Sequence, residues 1–287
     1  MTADRLLPLE AADTPLLRIP WLSNYDTNSL ARHLAESDAP SFWIPATGEY
    51  VIGGWWRGRR EIGSILELSA RSANSQRLVE RLVEAFEARG VQAVVPSIGE
   101  VWRDGRWYRQ HGFHEIDRIV TMVLAPLRLV DLPATPLEAR PYEPRYLDAL
   151  TQVDRASFPW LWWNDPLDFE RYEAMTEVNV LTGWVGAELV GYASSTVRGP
   201  RGHLDRLAVR RTDQGRGLGR AMLALALADL AARGAREVAL TTQVTNRVAQ
   251  ALYRSVGFRR TNEVEPILGR WTSRPSFDLT PLAAHPN

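Results

Sequence analysis

Two stretches of the chain repeat one another. "EAFEARGVQAVVPSI" (84–98) leads to "YRQHGFHEID" (108–117), and "LADLAARGAREVALTTQ" (227–243) leads to "YRSVGFRRTN" (253–262). Each reads as the end of an amphipathic helix, then Ala-Arg-Gly, a β-prone run, and a short helix ending in Y-R-x-x-G-F. The spacing agrees as well as the order: Gly90 to Tyr108 is 18 positions and Gly234 to Tyr253 is 19. A repeat of this kind settles the fold class before any single element does, because the chain must build one supersecondary unit twice.

The local signals follow. Gly90 and Gly234 suit the left-handed position just past a helix end. "VQAVV" and "REVALTT" have the length and β-branched content of short buried strands. Hairpins are expected in "FWIPATGEYVIGGWW" (42–56), turning at Thr47–Glu49, and in "TGWVGAELVGYASSTV" (182–197), turning at Gly186–Glu188. Between the copies, "APLRLVDLPATPLEARPYEP" (125–144) carries five prolines, the composition of a linker, which puts a boundary near 126–136. Two α+β domains are expected, residues 1–130 and 131–287.

Composition excludes several chemistries. With 34 basic and 34 acidic residues the formal net charge is zero, so no strongly basic nucleic-acid surface is expected. There is no cysteine, which removes disulfides, thiolate metal sites and cysteine nucleophiles. The five histidines show no paired metal-ligand spacing, so no metal site is expected. Every basic residue is arginine; a lysine Schiff base and a lysine general base are ruled out. No apolar run spans a bilayer, and the N-terminus is not a secretory signal, so the expected location is the cytoplasm, with no membrane partner. Oligomeric state is not legible.

The second copy holds "QGRGLG" (214–219), placed between an alternating stretch, "HLDRLAV" (203–209), and an apolar stripe at helical spacing from Leu218 onward. A Walker loop needs a lysine, which the chain lacks. A dinucleotide fingerprint needs G-x-G-x-x-G, and Gly215, Gly217 and Gly219 give G-x-G-x-G instead. The remaining reading is a pyrophosphate nest, in which small residues let unpaired N–H groups and a helix dipole approach the anion.

"LAVRRTDQGRGLGRAMLALAL" resembles motif A of the GNAT superfamily of acyl-CoA-dependent N-acyltransferases, Q/R-x-x-G-x-G/A. "TTQVTNRVAQALYRSVGF" is similar to motif B of that family, through Asn246, Ala249, Leu252, Tyr253, Gly257 and Phe258. The resemblance covers roughly residues 138–275. It implies two tandem GNAT-like domains, each a mixed, mostly antiparallel twisted sheet flanked by helices. It also implies acetyl transfer from acetyl-CoA, as co-substrate, to a primary amine of a small molecule or protein N-terminus, by direct attack in a ternary complex. Counting back from Gly90 as from Gly234 sets "ARSANS" (70–75) against the glycine loop, with Ala73 and Ser75 at the Gly217 and Gly219 positions and Val101 at that of Asn246. The first domain therefore resembles a copy with its cofactor signature erased, an arrangement similar to that of the mycothiol synthases. A non-catalytic acyl-CoA sensor or scaffold would share the cofactor signature; Asp205 and Tyr253 separate the two readings.

The resemblance assigns the cofactor to Leu207, Ala208 and Val209, to Gln214, Gly215, Arg216, Gly217, Leu218, Gly219 and Arg220, and to Asn246. Leu207 and Val209 act through backbone amides; Arg216 and Arg220 screen phosphate or solvate the helix start; Asn246 bonds the pantetheine arm or caps a helix. Asp205 is the candidate base, on a strand face shared with His203, Leu207 and Val209; the alternative is an acid paired with Arg206 or Arg210. Tyr253 is the candidate acid for the leaving thiolate, although Tyr108 in the first copy keeps the same frame and argues for packing. "FPWLWWNDP" (158–166) either walls the acceptor pocket or covers the first domain, whose Trp55 and Trp56 form another aromatic cluster.

Overall fold

The computed structural model describes residues 5–272; the expected limits at 275 and 287 lie outside the described residues. The chain separates into two units, residues 5–117 with 266–272 and residues 118–265. In the first unit come β1 (Leu7–Pro8), α1 (Thr27–Glu36), β2 (Phe42–Ile44), β3 (Glu49–Trp55), β4 (Ile62–Ser69), α2 (Ser72–Glu87), β5 (Ala93–Pro96) and α3 (Ile98–Gln110). Strand β6 (His114–Leu124) carries the chain into the second unit. There follow β7 (Leu137–Pro141), α4 (Leu147–Ser157), α5 (Pro166–Ala174), β8 (Val178–Val185), β9 (Glu188–Arg198), β10 (Arg201–Val209), α6 (Leu218–Ala232), β11 (Glu237–Gln243), α7 (Arg247–Ser255) and β12 (Arg259–Trp271), which returns to the first.

Each unit is an α+β fold with a mixed, mostly antiparallel sheet. In the first, β1 to β4 pair antiparallel in sequence order and β4 pairs β5 in parallel. In the second, β7 to β10 pair antiparallel in order and β10 pairs β11 in parallel. The repeated Y-R-x-x-G-F segment is a helix stop. Phe113 N–H donates to the Tyr108 carbonyl, and Phe258 N–H to that of Tyr253, both at 3.1 Å across a left-handed glycine, Gly112 and Gly257. Gly90 and Gly234 end α2 and α6 the same way, with Val91 N–H on the Phe86 carbonyl and Ala235 N–H on that of Leu230. The phenylalanine ring then folds back on the tyrosine, with centroids 5.2 Å apart in the first copy and 5.8 Å in the second.

The units are not parted at one point near residue 130, because each sheet is finished by a strand from the other half of the chain. Residues 119–124 of β6 pair antiparallel with β11, and Met122 and Leu124 enter the core formed by Leu204, Met222, Leu227, Leu230 and Leu240. Arg270 and Trp271 of β12 pair with Val94 and Ala93 of β5, Leu268 joins the first core, and Arg270 holds Glu80 through two hydrogen bonds of 2.7 and 2.9 Å. A strand edge left unpaired beside a core it should close is a strong aggregation site, and the exchange closes both.

A second core, formed by Leu150, Val153, Phe169, Val180, Tyr192 and Ala208, packs α4 and α5 on the other face of the second sheet. A buried ion pair crosses it. Arg206 donates to Asp154 at 2.6 Å and to the Tyr192 hydroxyl at 2.9 Å; Tyr192 in turn donates to Asp154. The same guanidinium reaches the Trp162 carbonyl at 2.8 Å and lies 3.7 Å from the Phe158 ring centre. Asn164 N–H donates to the free oxygen of Asp154 at 3.0 Å. The aromatic segment 158–164 is therefore fastened inside its own unit.

In the first unit the Tyr108 hydroxyl donates to Glu100 at 3.1 Å, and Arg103 stands 3.1 Å from the other carboxyl oxygen as an ion pair. Burial pushes the Glu100 carboxyl up to about 7, against the pull of Arg103 and Tyr108. No described helix is long and apolar enough to cross a membrane.

Two outcomes follow from this architecture. A fragment beginning at residue 131 lacks the strand that covers β11, so it is expected to be insoluble or unfolded, and soluble only when co-expressed with residues 1–130; soluble yield and circular dichroism check this. An acid whose folded pKa lies above its unfolded one stabilises the fold only while protonated. The Glu100 contribution is thus complete below its unfolded value near 4.5 and is lost as the pH rises through about 7. Glu100→Gln should remove that loss, making the variant more stable than the parent at about pH 8 by up to about 3 kcal/mol, with little difference at about pH 4; urea unfolding at both pH values measures it.

Candidate active site

Strands β10 and β11 share a ladder only from Arg201 to His203, opposite Glu237 to Ala239. Beyond His203, β10 keeps its partner β9 and loses β11. Arg210 N–H donates to the Val190 carbonyl at 2.7 Å, and peptide groups along an antiparallel strand alternate between facing the partner and facing away. Ala208 therefore turns its N–H to β9, while Leu207 and Val209 turn theirs to the open edge. The Val209 carbonyl on that edge accepts from Ser157 at 3.2 Å and from the Gln214 amide at 2.9 Å. Gln214 thus ties the glycine loop to the strand.

Eight residues, Arg210 to Gly217, separate β10 from α6. Their charges are internally arranged. Asp213 is buried and accepts from Arg210 at 2.6 Å and Arg216 at 3.0 Å, with Arg210 foremost in holding its carboxyl below the usual range. Arg210 also reaches Glu188 at 2.6 Å, and Arg220 donates to Ser255 at 2.9 Å. Gly215 and Gly217 take φ of 77° and 79°, the left-handed region. Gly217 caps α6 with no side-chain hydrogen bond. The first helical bonds run from Arg220 and Ala221 back to the Gly217 carbonyl. Among the described residues, the N–H groups of Gly215, Arg216, Gly217, Leu218 and Gly219 have no acceptor. Gly219 has ordinary helical geometry, and a Cβ there would meet only Leu252, at 3.6 Å. Among the described residues, a Cβ on Gly215 would meet nothing within 4 Å and one on Gly217 only Thr135, at 3.6 Å. The arrangement fits an anion with several oxygens.

On the far lip of the opening, Asn246 accepts from Ala249 N–H at 3.1 Å and caps α7, its amide nitrogen remaining without a partner among the described residues. Tyr253 is 7 % exposed in the core cluster that also holds Leu204. Burial keeps its phenol protonated, well above its ordinary value. Unlike Tyr108, its hydroxyl has no hydrogen-bond partner among the described residues.

Asp205 does not share a face with Leu207 and Val209. The register slips between Leu204, opposite Ser195, and Arg206, opposite Ser194, so Asp205 is the extra residue of a β-bulge. The bulge inverts the alternation: Leu204 and Leu207 both join the α6-side core, and Ala208 joins the α4 side. Asp205 pairs with neither Arg206 nor Arg210. Its Oδ1 lies 2.7 Å from His203 Nδ1 and its Oδ2 accepts from Thr196 at 2.7 Å. Sequence reasoning missed His203 as a partner, and the bulge that makes the pair leaves no mark in the residue pattern.

Register allows the first unit to be compared strand by strand. Its β3–β4 pair slips at the equivalent place, between Ile52 opposite Glu67 and Gly53 opposite Ile65, so Leu66 stands where Asp205 stands. Ser64 matches His203, Glu67 matches Arg206, and Tyr50 matches Tyr192, again bonded to the charged residue. Only Ala70 and Arg71 join β4 to α2. The helix starts therefore align Arg71 and Ala73 with Gly217 and Gly219, two residues from the count made along the sequence. The Glu49 carboxylate sits at this helix start, accepting from Arg71 N–H at 2.9 Å and from the side chains of Asn74 and Thr47. Burial raises its pKa, and the three hydrogen bonds together outweigh burial and hold it low. Where the second unit has an open anion site, the first has filled it with its own anion.

Residues 147–258 match the family model of the acetyltransferase (GNAT) family. Among curated proteins no sequence matches the chain. Solved structures of similar fold include a GCN5-related N-acetyltransferase from Sphaerobacter thermophilus, 18 % identical over 98 % of this chain and 99 % of that one, with a TM-score of 0.62. A tandem GNAT protein of the clavulanic acid biosynthesis pathway is 15 % identical over 95 % and 99 %, at 0.60. Another, from Kribbella flavida, is 13 % identical over 94 % and 71 %, at 0.67. The chain thus has the fold of tandem GNAT structures, and its residues 147–258 match the acetyltransferase (GNAT) family model.

Proposed function

We propose that the second unit moves an acetyl group from acetyl-CoA to a primary amine of a small molecule or protein N-terminus, by direct attack in a ternary complex, and that the first unit binds no acyl-CoA. The observation that carries this reading is the run of five acceptor-free N–H groups from Gly215 to Gly219 at an open helix start. They receive the pyrophosphate, with Arg216 and Arg220 beside them. Leu207 and Val209 offer their N–H groups along the open edge of β10 to the pantetheine and thioester carbonyl; Ala208 between them turns its N–H to β9 and its side chain to the α4-side core. Asn246 has an amide nitrogen to donate to the pantetheine arm while its oxygen caps α7.

Acetyl-CoA supplies an activated acyl carbon and a thiolate leaving group. The protein has to accept the amine proton and give one to the sulfur. Tyr253 is suited to the second task, because its phenol stays protonated and is not committed to an internal acceptor. The proton acceptor belongs to the bulged edge of β10, where Asp205 sits beside His203.

Two experiments test the reading. An acid near a helix N-terminus normally stabilises the helix, and a Cβ at position 219 would meet only Leu252, at an ordinary contact distance of 3.6 Å. Gly219→Glu should therefore keep or raise the melting temperature while weakening acetyl-CoA binding by at least about tenfold through like-charge repulsion with the pyrophosphate. Calorimetry should find one site per chain in the parent; two equivalent sites, or unchanged affinity in the variant, would contradict the assignment. Tyr253→Phe should lower kcat by about a hundredfold with the best amine of an acceptor panel, leaving stability and acetyl-CoA affinity unchanged. Tyr108→Phe should do the reverse, costing about 1 kcal/mol of stability through the lost Glu100 bond and leaving turnover intact.

A further inference from the structure

The geometry points to His203, not Asp205, as the group that takes the proton from the attacking amine, with Asp205 positioning the imidazole. This rests on the acetyl-transfer reading above. A carboxylate oxygen only accepts. With Asp205 Oδ1 at 2.7 Å from Nδ1, the neutral imidazole carries its hydrogen on Nδ1 and keeps the lone pair on Nε2. Thr196 donates to the other carboxylate oxygen at 2.7 Å and stands directly opposite His203 on β9, so the carboxylate is fixed from two sides. Both of its oxygens are engaged, which leaves Asp205 poorly placed to take a substrate proton itself. His203 Nε2 has no partner among the described residues, and the side chain is 41 % exposed.

Position supports the assignment. His203 forms the last rung between β10 and β11, against Ala239, so the open edge begins at this residue. Its neighbour Leu204 packs into the cluster that holds Tyr253; His203, one residue away, faces the opposite side of the sheet. The proton acceptor and the proton donor thus belong to opposite faces of the opening. Direct attack needs that: the amine nitrogen bonds the acyl carbon and loses its proton to Nε2, while the carbon–sulfur bond breaks and the sulfur takes the Tyr253 proton. The other charged groups nearby are committed elsewhere, Arg206 to Asp154 at 2.6 Å and Arg201 to Glu237 at 3.3 Å. The first unit repeats the bulge but has Ser64 and Leu66 at these two positions. The backbone feature is therefore architectural, and the histidine–aspartate pair belongs only to the unit with the open anion site.

Bromoacetyl-CoA tests this without a known acceptor, since an imidazole lone pair beside the acyl group forms a carbon–nitrogen bond and expels bromide. The full-length protein is incubated with the reagent, the labelled residue is mapped by peptide mass spectrometry, and binding of acetyl-CoA is measured separately by calorimetry. The expected result is label on His203. Asp205→Asn places an amide hydrogen against Nδ1, moves the imidazole hydrogen to Nε2, and should slow labelling about tenfold or more; Asp205→Glu should restore part of the rate. Binding of acetyl-CoA with label absent from His203, or a labelling rate indifferent to Asp205→Asn, would overturn the inference. Failure of acetyl-CoA to bind would instead overturn the acetyl-transfer reading on which it rests.

Discussion

The second unit depends on the parting of two strands. β10 and β11 run together for three residue pairs and then separate. A parallel pair that separates leaves peptide groups of both strands without partners, a costly state unless solvent or a ligand satisfies them. Here the separation coincides with a bulge on the same strand, which adds a residue and raises the local twist. The bulge turns Asp205 toward His203 and Thr196 while Leu204 and Leu207 stay in one core. Opening and bulge thus meet on one short stretch of β10.

Duplication shows which features belong to the scaffold. Both halves keep the helix stops at the two glycines, the tyrosine–phenylalanine contact, the bulge, and the buried tyrosine bonded to a charged residue on the neighbouring strand. What differs is chemistry at the same addresses. The anion at the helix start is Glu49 in the first half; in the second the amides are left open. The tyrosine hydroxyl is tied to Glu100 in the first and, among the described residues, has no partner in the second. A helix N-terminus attracts negative charge in either case, and the first half satisfies with its own carboxylate the helix start that the second leaves open.

The buried Arg206–Asp154–Tyr192 group lies next to the bulge and supports it. Burial of charge is tolerable only with full hydrogen bonding, and here both carboxyl oxygens and the guanidinium are engaged. The group joins β9, β10 and α4 to the Trp162 carbonyl, which fixes the aromatic segment on the face of the sheet that also carries His203.

The repeat, the α+β class, the helix ends, both hairpins and the glycine loop were legible from the residues alone, because each is a local signal: a period, a left-handed glycine, a cap. The lack of lysine and cysteine narrowed the chemistry for the same reason. Three features were decided only by the tertiary structure. The strand exchange was hidden because β6 and β12 look alike as strands whichever sheet they complete, and the proline-rich stretch 125–144 falls after β6 has already crossed. The bulge was hidden because alternation reads only period two, and one inserted residue in "HLDRLAV" leaves the letters unchanged while reversing every side chain beyond it. The two-residue join at Ala70 and Arg71 shifted the comparison of helix starts by two positions. Sequence determined which groups the site could use; the register of two strands decided which of them meet.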